Sequence, residues 1–244
     1  MMTAEDVDAA FSGVIGQEYQ MLKLICPFAA EMSRMVGAEV AHYCRNRPDT
    51  QSVVELGGGT GITTLAILSG ADNLRVLSID SEPVMQNQAK QALQAWENGG
   101  RLAFFADDAL SALGRFEDAS VDIVASAYTL HNFEANYRKR VIAESFRVLK
   151  SGGRFVNGDR YALDDVDQHT RNTQQEVKGY FRVLSEIDRL DLLEQWIVHL
   201  FSDESESRIM RESISLQQLG EAGFQQIELK FRQDSNALVT ALKH

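Results

Sequence analysis

Cysteine is scarce in this chain, which has only Cys26 and Cys44 among its 244 residues. Two cysteines cannot form a disulfide framework, and neither stands at a metal-type spacing from the other or from the five histidines. We therefore expect reduced, buried thiols and no metal site.

Basic residues are also few. The chain has 24 Lys and Arg but 35 Asp and Glu, which gives a formal net charge of -11. Nucleic-acid binding draws most of its affinity from clustered positive charge. The most basic stretch, residues 137–150, spreads its charges over several faces of a predicted helix and is interpreted as solvated surface. The balance argues against a nucleic-acid partner and favours a small molecule.

Long apolar runs and a leader sequence are absent as well. Charged residues interrupt every apolar segment well before membrane-spanning length, and the first residues, MMTAEDVDAAF, lack the basic start and apolar stretch of a signal peptide. A hydrophobic content of 44% still suffices for a sizeable core. We expect a soluble, cytoplasmic protein with no membrane partner.

From residue 51 onward, short β-branched runs alternate with helix-period stretches, which is typical of a parallel sheet flanked by helices. The predicted strands are SVVELG, LRVLSID, RLAFFAD, VDIVASA and RFVNGD, followed near the carboxyl end by QQIELKF and NALVTALK. The predicted helices between them are TTLAILSG, EPVMQNQAKQALQAW, EANYRKRVIAESFRVLK and SLQQLGEAGF, with SGG as a turn before the fifth strand.

Two regions lie outside this alternation. Residues 1–50 are predicted to be mainly helical, and residues 173–201 carry apolar side chains at a three-to-four period, which predicts an amphipathic helix or helix pair. An insert that leaves the carboxyl end of a strand is well placed to cover a ligand site. Alternatively, its apolar stripe packs on the body or on a second subunit. We divide the chain into a helical N-terminal segment (1–50), a core (51–163), a helical cap insert (164–212) and a terminal helix with a strand pair (213–244).

The stretch GGGTG at residues 57–61 is a glycine-rich turn between the first strand and its helix. Backbone N–H groups in such a turn can approach a ligand closely, as in dinucleotide and adenosyl sites. The dinucleotide fingerprint requires a third small residue where Ile62 stands, so that interpretation fails. An acidic residue with alternating glycines stands there instead: Glu55, Gly57, Gly59 and Gly61.

This glycine motif resembles the first motif of the class I S-adenosylmethionine-dependent methyltransferases, and four further motifs follow in the family's order. They are Asp80 at the end of the second strand, FADDAL, ASVDIVASAYTLHNF and RVLKSGGRFV. The resemblance covers residues 50–160, and the family's reversed last strand agrees with the terminal strand pair. It implies an α/β fold, a Rossmann-like seven-stranded mixed sheet with helices on both faces.

The resemblance also implies S-adenosyl-L-methionine as cofactor, with S-adenosylhomocysteine as product. The implied cofactor-binding residues are Glu55, Gly57, Gly59, Gly61, Asp80, Ser81, Asp108, Ala109 and Ala127. A carboxylate at Glu55 suits the cationic methionine end, and Asp80 offers two oxygens to a ribose diol or, alternatively, caps the next helix. The resemblance assigns the adenine contact to Asp108. Because Asp107 stands directly before it, the choice between these two acids stays open.

Side chains after the fourth and fifth strands are candidates for the reaction itself. His131 and Tyr128 are candidate catalytic residues, with His131 as a general base if the acceptor must lose a proton. A histidine that only shapes the loop is the alternative, and we place that structural role first. The candidate acceptor-binding residues are Arg160, Tyr161, Arg182 and Arg189. For Arg182 and Arg189 the alternative, which we place first, is salt bridges on a helix that holds many acids.

The flanking stretches LICPFAAEMSRMVG and YTLHNF resemble, more loosely, the carboxy-S-adenosylmethionine synthase branch. That branch holds a carboxylate with an arginine, for which Arg189 is the nearest positional match, but Ala127 replaces a polar residue that the branch usually has. We predict a methyltransferase that moves a methyl group to a small organic acceptor by in-line displacement, with a homodimer through the insert as a possible assembly. The alternatives are a carboxy-synthase-like modification of the cofactor and a non-catalytic binding subunit.

Overall fold

The structure, a computed structural model of the chain, describes residues 28–244. Its strands are Gln51–Leu56 (β1), Leu74–Asp80 (β2), Leu102–Ala106 (β3), Val121–Ala127 (β4), Leu149–Arg160 (β5), Gln225–Gln233 (β6) and Asn236–Leu242 (β7). Its α-helices are Phe28–Cys44 (α1), Ile62–Gly70 (α2), Pro83–Ala92 (α3), Gln94–Asn98 (α4), Ala109–Leu113 (α5), Ala135–Val148 (α6), Val166–Glu186 (α7), Leu190–Asp203 (α8) and Glu212–Ala222 (α9). A short 3-10 helix spans Leu130–Asn132. Residues 1–27 of the predicted N-terminal helical segment lie outside the described residues.

All seven strands form one mixed sheet in the order β3-β2-β1-β4-β5-β7-β6. Strands β1 to β5 are parallel, and β7 runs antiparallel between β5 and β6. The predicted Rossmann-like seven-stranded sheet is therefore confirmed. The strand order reverses between β1 and β4, and in open α/β sheets ligands bind beyond the carboxyl ends of the strands at such a point.

Helices cover both faces of the sheet because the central strands are apolar on both sides. Strand β4 is buried along almost its whole length. One core joins α1 and α2 to the sheet through side chains such as Met32, Val36 and Leu65. A second core joins α5, α6 and α9 to the sheet and includes the side chains of Leu113, Val141 and Leu219.

Two predicted boundaries were wrong. The SGG stretch was predicted to be a turn, but it belongs to the beginning of β5, because Gly152 N–H donates to Lys243 O (2.6 Å) and Lys243 N–H donates to Gly153 O (3.0 Å). The single helix predicted from Glu82 is divided at Leu93, where the backbone leaves helical geometry (φ -109°, ψ 16°) and the side chain is buried.

The predicted amphipathic stretch forms the helix pair α7 and α8. The two helices pack on each other through Tyr180, Leu184, Leu193 and Leu200, and this cluster is separate from the two cores of the sheet. Other apolar side chains of the predicted stripe, including Phe181 and Leu190, are exposed. The ends of the insert meet, because Ala162 N–H donates to Met210 O (2.8 Å) and Glu212 N–H donates to Ala162 O (2.9 Å).

Helices α1 and α2 cross at a contact that only glycine permits. A Cβ atom at Gly37 would lie 2.6 Å from Ala66 O, and one at Gly70 would lie 3.0 Å from Gly37 O. Because the atoms in the way belong to backbone, the helices would have to move apart to admit a methyl group.

We predict that Gly37→Ala lowers the free energy of unfolding by about 1–3 kcal/mol, because overpacking outweighs the better helix propensity of alanine. Urea denaturation measures the change. Gly179→Ala on α7 is the matched control, since no heavy atom lies within 4 Å of its Cβ position, and it should be neutral or stabilising by up to about 1 kcal/mol. Equal effects of the two substitutions would contradict the close-packing argument.

Candidate functional site

The glycine turn after β1 is held to the end of the neighbouring strand β2. The N–H groups of Gly57 and Gly58 donate to Ile79 O (2.8 and 3.1 Å), and Gly59 N–H donates to Asp80 Oδ2 (2.7 Å). Gly59 has a φ of +53°, and no heavy atom lies within 4 Å of its Cβ position. The turn therefore presents an open backbone surface at the carboxyl edge of the sheet.

Glu55 lies beneath this turn and is completely buried, with 0% of its surface exposed. Its Oε2 accepts a hydrogen bond from Thr64 Oγ1 (2.5 Å), while Oε1 is buried without a hydrogen-bond partner among residues 28–244. Burial raises the pKa of Glu55 from its ordinary 4.5 to about 7, although hydrogen bonds from Thr64 and Ser78 oppose the shift. A buried carboxylate with one unsatisfied oxygen is the arrangement that a cationic ligand would complete.

Asp80 and Ser81 stand at the end of β2. The Asp80 carboxylate accepts Gly59 N–H at Oδ2 and Glu82 N–H at Oδ1, each at 2.7 Å. The residue is half-buried, and Ser81 is exposed. Asp80 thus supports the turn before α3 and lies beside the glycine turn at the same time.

The two acids after β3 have different partners. Asp108 caps α5, and its Oδ1 accepts from Leu110 N–H, Ser111 N–H and the Tyr137 hydroxyl (2.6 Å). The hydrogen bonds from Ser111 and then Tyr137 lower the pKa of Asp108 to about 2. Asp107 instead pairs with Arg115 (2.8 Å). Ala109, the first residue of α5, is buried.

The end of β4 turns back over the glycine turn. Ala127, its last residue, is half-buried, and a Cβ atom at Gly57 would collide with the Thr129 side chain (2.2 Å to Oγ1). Tyr128 adopts a φ of +50°, and its hydroxyl donates to Asn236 Oδ1 on β7 (2.6 Å). The candidate catalytic residue Tyr128 is therefore hydrogen-bonded to the terminal strand β7.

His131 and Asp159 form a buried pair across the ends of β4 and β5. His131 Nδ1 lies 2.5 Å from Asp159 Oδ1, and the two side chains are 7% and 0% exposed. Asp159 also accepts Leu130 N–H at Oδ2 (2.9 Å) and Arg160 N–H at Oδ1 (2.8 Å). The carboxylate orients the imidazole so that Nδ1 carries the proton and Nε2 carries the lone pair.

The helix pair contributes a second group of polar side chains above His131. Arg160 donates to Glu176 on α7 (2.7 Å) and to Glu204 (3.4 Å), and His169 Nε2 lies 2.7 Å from Glu204 Oε2. Asp203 Oδ2 lies 3.8 Å from His131 Nε2. The insert therefore contacts the end of the sheet through ionic groups.

These groups enclose a cavity of about 10 Å³, which is room for about one water molecule. Its lining residues are His131, Arg160, Ala162, His169, Asp203, Glu204, Ile209, Met210 and Ser235. Burial raises the pKa of Asp203, and burial lowers the pKa of His199, which lies beside it on α8.

The candidate acceptor-binding residues do not come together. Arg160 faces the cavity, but Tyr161 lies in the core, and its hydroxyl accepts a hydrogen bond from Asn157 (2.8 Å). Arg189 is paired with Asp191 at the start of α8 (2.8 Å). Arg182 is exposed on α7 and is not among the residues that line the cavity.

Sequence reasoning missed the polar residues that the insert places over His131. They are His169, His199, Asp203 and Glu204. The spacing of His199 and Asp203, four residues apart on one helix face, was the available signal. It could not indicate the contact with His131, which is 68 residues earlier in the chain.

Comparisons with known proteins agree with this architecture. Residues 53–153 match the family described as a methyltransferase domain. A protein of Mycobacterium sp. (strain KMS) with the provisional name O-methyltransferase is 33% identical over 130 residues, which are 52% of this chain and 56% of that protein. The carboxy-S-adenosyl-L-methionine synthase of Nautilia profundicola is 22% identical over 202 residues, 80% of this chain and 78% of that protein.

Among solved structures, an O-methyltransferase family 2 protein from Planctomyces limnophilus shares the fold with a TM-score of 0.65 and 17% identity, covering 100% of this chain and 62% of that one. The match of residues 53–153 to a methyltransferase domain and the similarity to an O-methyltransferase relative support the class I S-adenosylmethionine-dependent methyltransferase family. It spans about half the length of the first curated relatives that it matches. Within residues 28–244, no helix is long and apolar enough to cross a membrane.

The residues at the edge of the sheet fit the family's cofactor, S-adenosylmethionine. The unsatisfied Oε1 of Glu55 suits a cationic group, and the open side of Gly59 leaves space beside the turn. At Asp108, the N–H groups of Leu110 and Ser111 and the Tyr137 hydroxyl hold the carboxylate through Oδ1 at the same edge of the sheet.

We predict that Glu55→Gln raises the free energy of unfolding at pH 8 and changes it little near pH 4. The pKa of Glu55 is higher in the folded protein, so its protonated form adds stability below pH 4.5 that is lost as the pH rises through about 7. The loss amounts to about 3 kcal/mol. Urea denaturation at both pH values measures it.

Glu97→Gln, which removes the same formal charge from an exposed position on α4, is the matched control. If Glu55→Gln left the protein no more stable than this control at pH 8, the argument for a buried ionised Glu55 would fail.

Proposed function

We propose that this protein is an S-adenosylmethionine-dependent methyltransferase that methylates a hydroxyl group of a small organic acceptor, with His131 as the general base. The observation that carries the proposal is the buried His131–Asp159 pair, which directs a lone-pair nitrogen toward the space beneath the insert. The mycobacterial relative with the provisional name O-methyltransferase supports the choice of oxygen.

In this proposal, the cofactor lies along the carboxyl ends of β1, β2 and β3. Glu55 would face its ammonium group, Asp80 with Ser81 its ribose, and Asp108 with Ala109 its adenine, while Ala127 would line the methyl-transfer region. When bound, S-adenosylmethionine supplies an electrophilic methyl group and leaves as S-adenosylhomocysteine. The protein contributes alignment and the exclusion of water.

His131 would accept the proton of the acceptor hydroxyl at Nε2, while its Nδ1 proton stays hydrogen-bonded to Asp159. The fixed carboxylate stabilises the imidazolium that forms and prevents the ring from turning. Asp159 therefore acts as a positioning residue. Its complete burial and its two backbone hydrogen bonds hold it in place.

The acceptor would enter by movement of the insert. The cavity beside His131 holds about one water molecule, and Asp203 lies against His131 Nε2. An organic acceptor needs more space than this, so α8 must shift to admit it. The ionic contacts of Arg160 with Glu176 and Glu204 are the contacts that such a shift would change.

The carboxy-synthase alternative is less well supported. The arginine assigned to hold a carboxylate, Arg189, is engaged by Asp191 at the surface. Ala127 also lacks the polar side chain expected for that chemistry. A non-catalytic binding subunit would keep the cofactor site and transfer no methyl group.

The proposal is tested by incubating the full chain with methyl-labelled S-adenosylmethionine and a metabolite extract fractionated by functional group. Label in an O-methyl product of a hydroxyl-bearing acceptor, together with stoichiometric S-adenosylhomocysteine, is the expected result. A carboxylated cofactor formed with prephenate would identify the synthase instead. Cofactor binding without any labelled product would identify a binding subunit.

For the base, we predict that His131→Asn lowers kcat by about 10²–10⁴-fold and leaves cofactor affinity within about twofold, because the residue acts on the acceptor proton. His42→Asn, at an exposed position on α1, is the control and should behave as wild type. Equal losses in turnover and cofactor affinity would instead indicate a structural role for His131.

For the cofactor site, we predict that Asp80→Ala weakens S-adenosylmethionine binding by about 1–3 kcal/mol, because two ribose hydroxyls lose their acceptor. Isothermal titration calorimetry measures the affinity. Asp72→Ala, an exposed acid before β2, removes the same charge as a control. Unchanged affinity of the Asp80 variant would refute the ribose assignment.

A further inference from the structure

Three potential metal ligands, one after β4 and two on α8, meet where the insert covers the sheet. We propose that His131, His199 and Asp203 form a binding site for a divalent transition-metal ion. One ligand atom from each side chain lies within 4.8 Å of the other two. Such an ion would join α8 of the insert to the end of β4.

The distances suit a metal ion after small side-chain movements. His131 Nε2 and His199 Nε2 lie 3.8 and 3.6 Å from Asp203 Oδ2. Tetrahedral zinc with bonds of about 2.0–2.2 Å separates its ligand atoms by about 3.4 Å. His199 and Asp203 are four residues apart on α8 and project from the same face, so one helix supplies two ligands.

Asp203 is an incompletely satisfied buried carboxylate. Its side chain is 6% exposed, and its Oδ1 has no hydrogen-bond partner within the described part of the chain. Burial of such an oxygen is costly unless a donor or a cation compensates it. A metal ion that both carboxylate oxygens bind would remove this cost. An ion bound by Oδ2 alone would also remove it if a water molecule on the ion donates to Oδ1.

A buried carboxylate already orients the His131 ring. Its Nδ1 lies 2.5 Å from Asp159 Oδ1, which directs the Nε2 lone pair toward Asp203. A histidine that binds a metal commonly donates its other N–H group to a carboxylate in this way. His199 is 45% exposed, so an ion can reach the site from solvent.

The surrounding charges permit a cation. Arg160 Nε lies 3.9 Å from Asp203 Oδ2, but its guanidinium is also paired with Glu176 and Glu204. His169 shares Glu204 (2.7 Å). Of the other guanidinium groups near the site, Arg208 donates to Asn132 O and Arg138 to backbone carbonyl groups. Four carboxylates therefore surround the site before any ion binds, and they oppose the guanidinium groups of three arginines. The carboxylates are those of Asp159, Glu176, Asp203 and Glu204.

Two imidazoles and one carboxylate favour zinc, cobalt or ferrous iron over magnesium and calcium, which prefer oxygen ligands. The adjacent cavity, with room for about one water molecule, accommodates a fourth ligand. A bound ion would also occupy His131 Nε2 and thereby block its role as a base. That consequence rests on the proposed function, whereas metal binding itself does not.

The test titrates the metal-free full chain, without cofactor or acceptor, with Zn²⁺ by calorimetry and with Co²⁺ by absorption spectroscopy. One ion per chain, Co²⁺ bands typical of four-coordination and no binding of Mg²⁺ are expected. His199→Gln, on a half-exposed residue that the fold does not require, should weaken Zn²⁺ binding at least tenfold. Asp159→Asn should weaken it about 10–100-fold, because the carboxylate that orients the His131 ring is lost.

His42→Gln, which removes an exposed histidine far from the cluster in sequence, is the control and should retain wild-type affinity. Circular dichroism confirms that each variant is folded. The proposal is overturned if Zn²⁺ does not bind, or if it binds His199→Gln with wild-type affinity, which would place the ion elsewhere in the chain. Neither result bears on methyl transfer, since no cofactor is present.

Discussion

The carboxylate of Asp159 is completely buried at the end of β5, and the arrangement of the site depends on how it is satisfied. It accepts hydrogen bonds from Leu130 N–H and Arg160 N–H and lies 2.5 Å from His131 Nδ1. These contacts fix the short helix after β4, the start of the segment after β5 and the orientation of one imidazole. A buried charge is tolerated only with such a set of partners, so these elements are fixed together.

A second buried carboxylate, Glu55, is incompletely satisfied, and this costs stability. Its pKa is raised to about 7 because burial opposes its ionisation. The folded chain therefore holds this carboxyl only partly ionised near neutral pH, because its own residues stabilise the ionised form poorly. A cationic ligand compensates such a group, so the cost in stability is consistent with a binding site rather than with a purely structural role.

The insert has a different physical character from the sheet that it covers. Its helices α7 and α8 share a small apolar cluster of their own. Their contacts near the end of the sheet include the ionic groups around Arg160, Asp203 and His131. Ionic contacts depend on protonation, on bound ions and on water more strongly than apolar packing does. In the proposed function, movement of the insert and binding of an acceptor beneath it would therefore be coupled.

The fold could be predicted largely from the sequence, because its signals are local. The alternation of strands and helices, the glycine turn at 57–61 and the spacing to Asp80 are each contained in a short stretch, and the seven-stranded mixed sheet follows from them. The boundary at SGG was mispredicted because a hydrogen-bonded partner, Lys243, lies 91 residues later in sequence than Gly152. Local propensity carries no information about a partner that far away.

The candidate site could be predicted only in part, for the same reason. The glycine turn and the acids after β1, β2 and β3 follow strand ends that a parallel sheet places on one edge. The surroundings of His131 could not be predicted, since Asp159 approaches it from β5, and His199 and Asp203 approach it from α8. By itself, the sequence determined the fold and the class of cofactor. Which side chains surround His131 at the end of the sheet depends on tertiary contacts, because the insert brings them there when it folds back over the sheet.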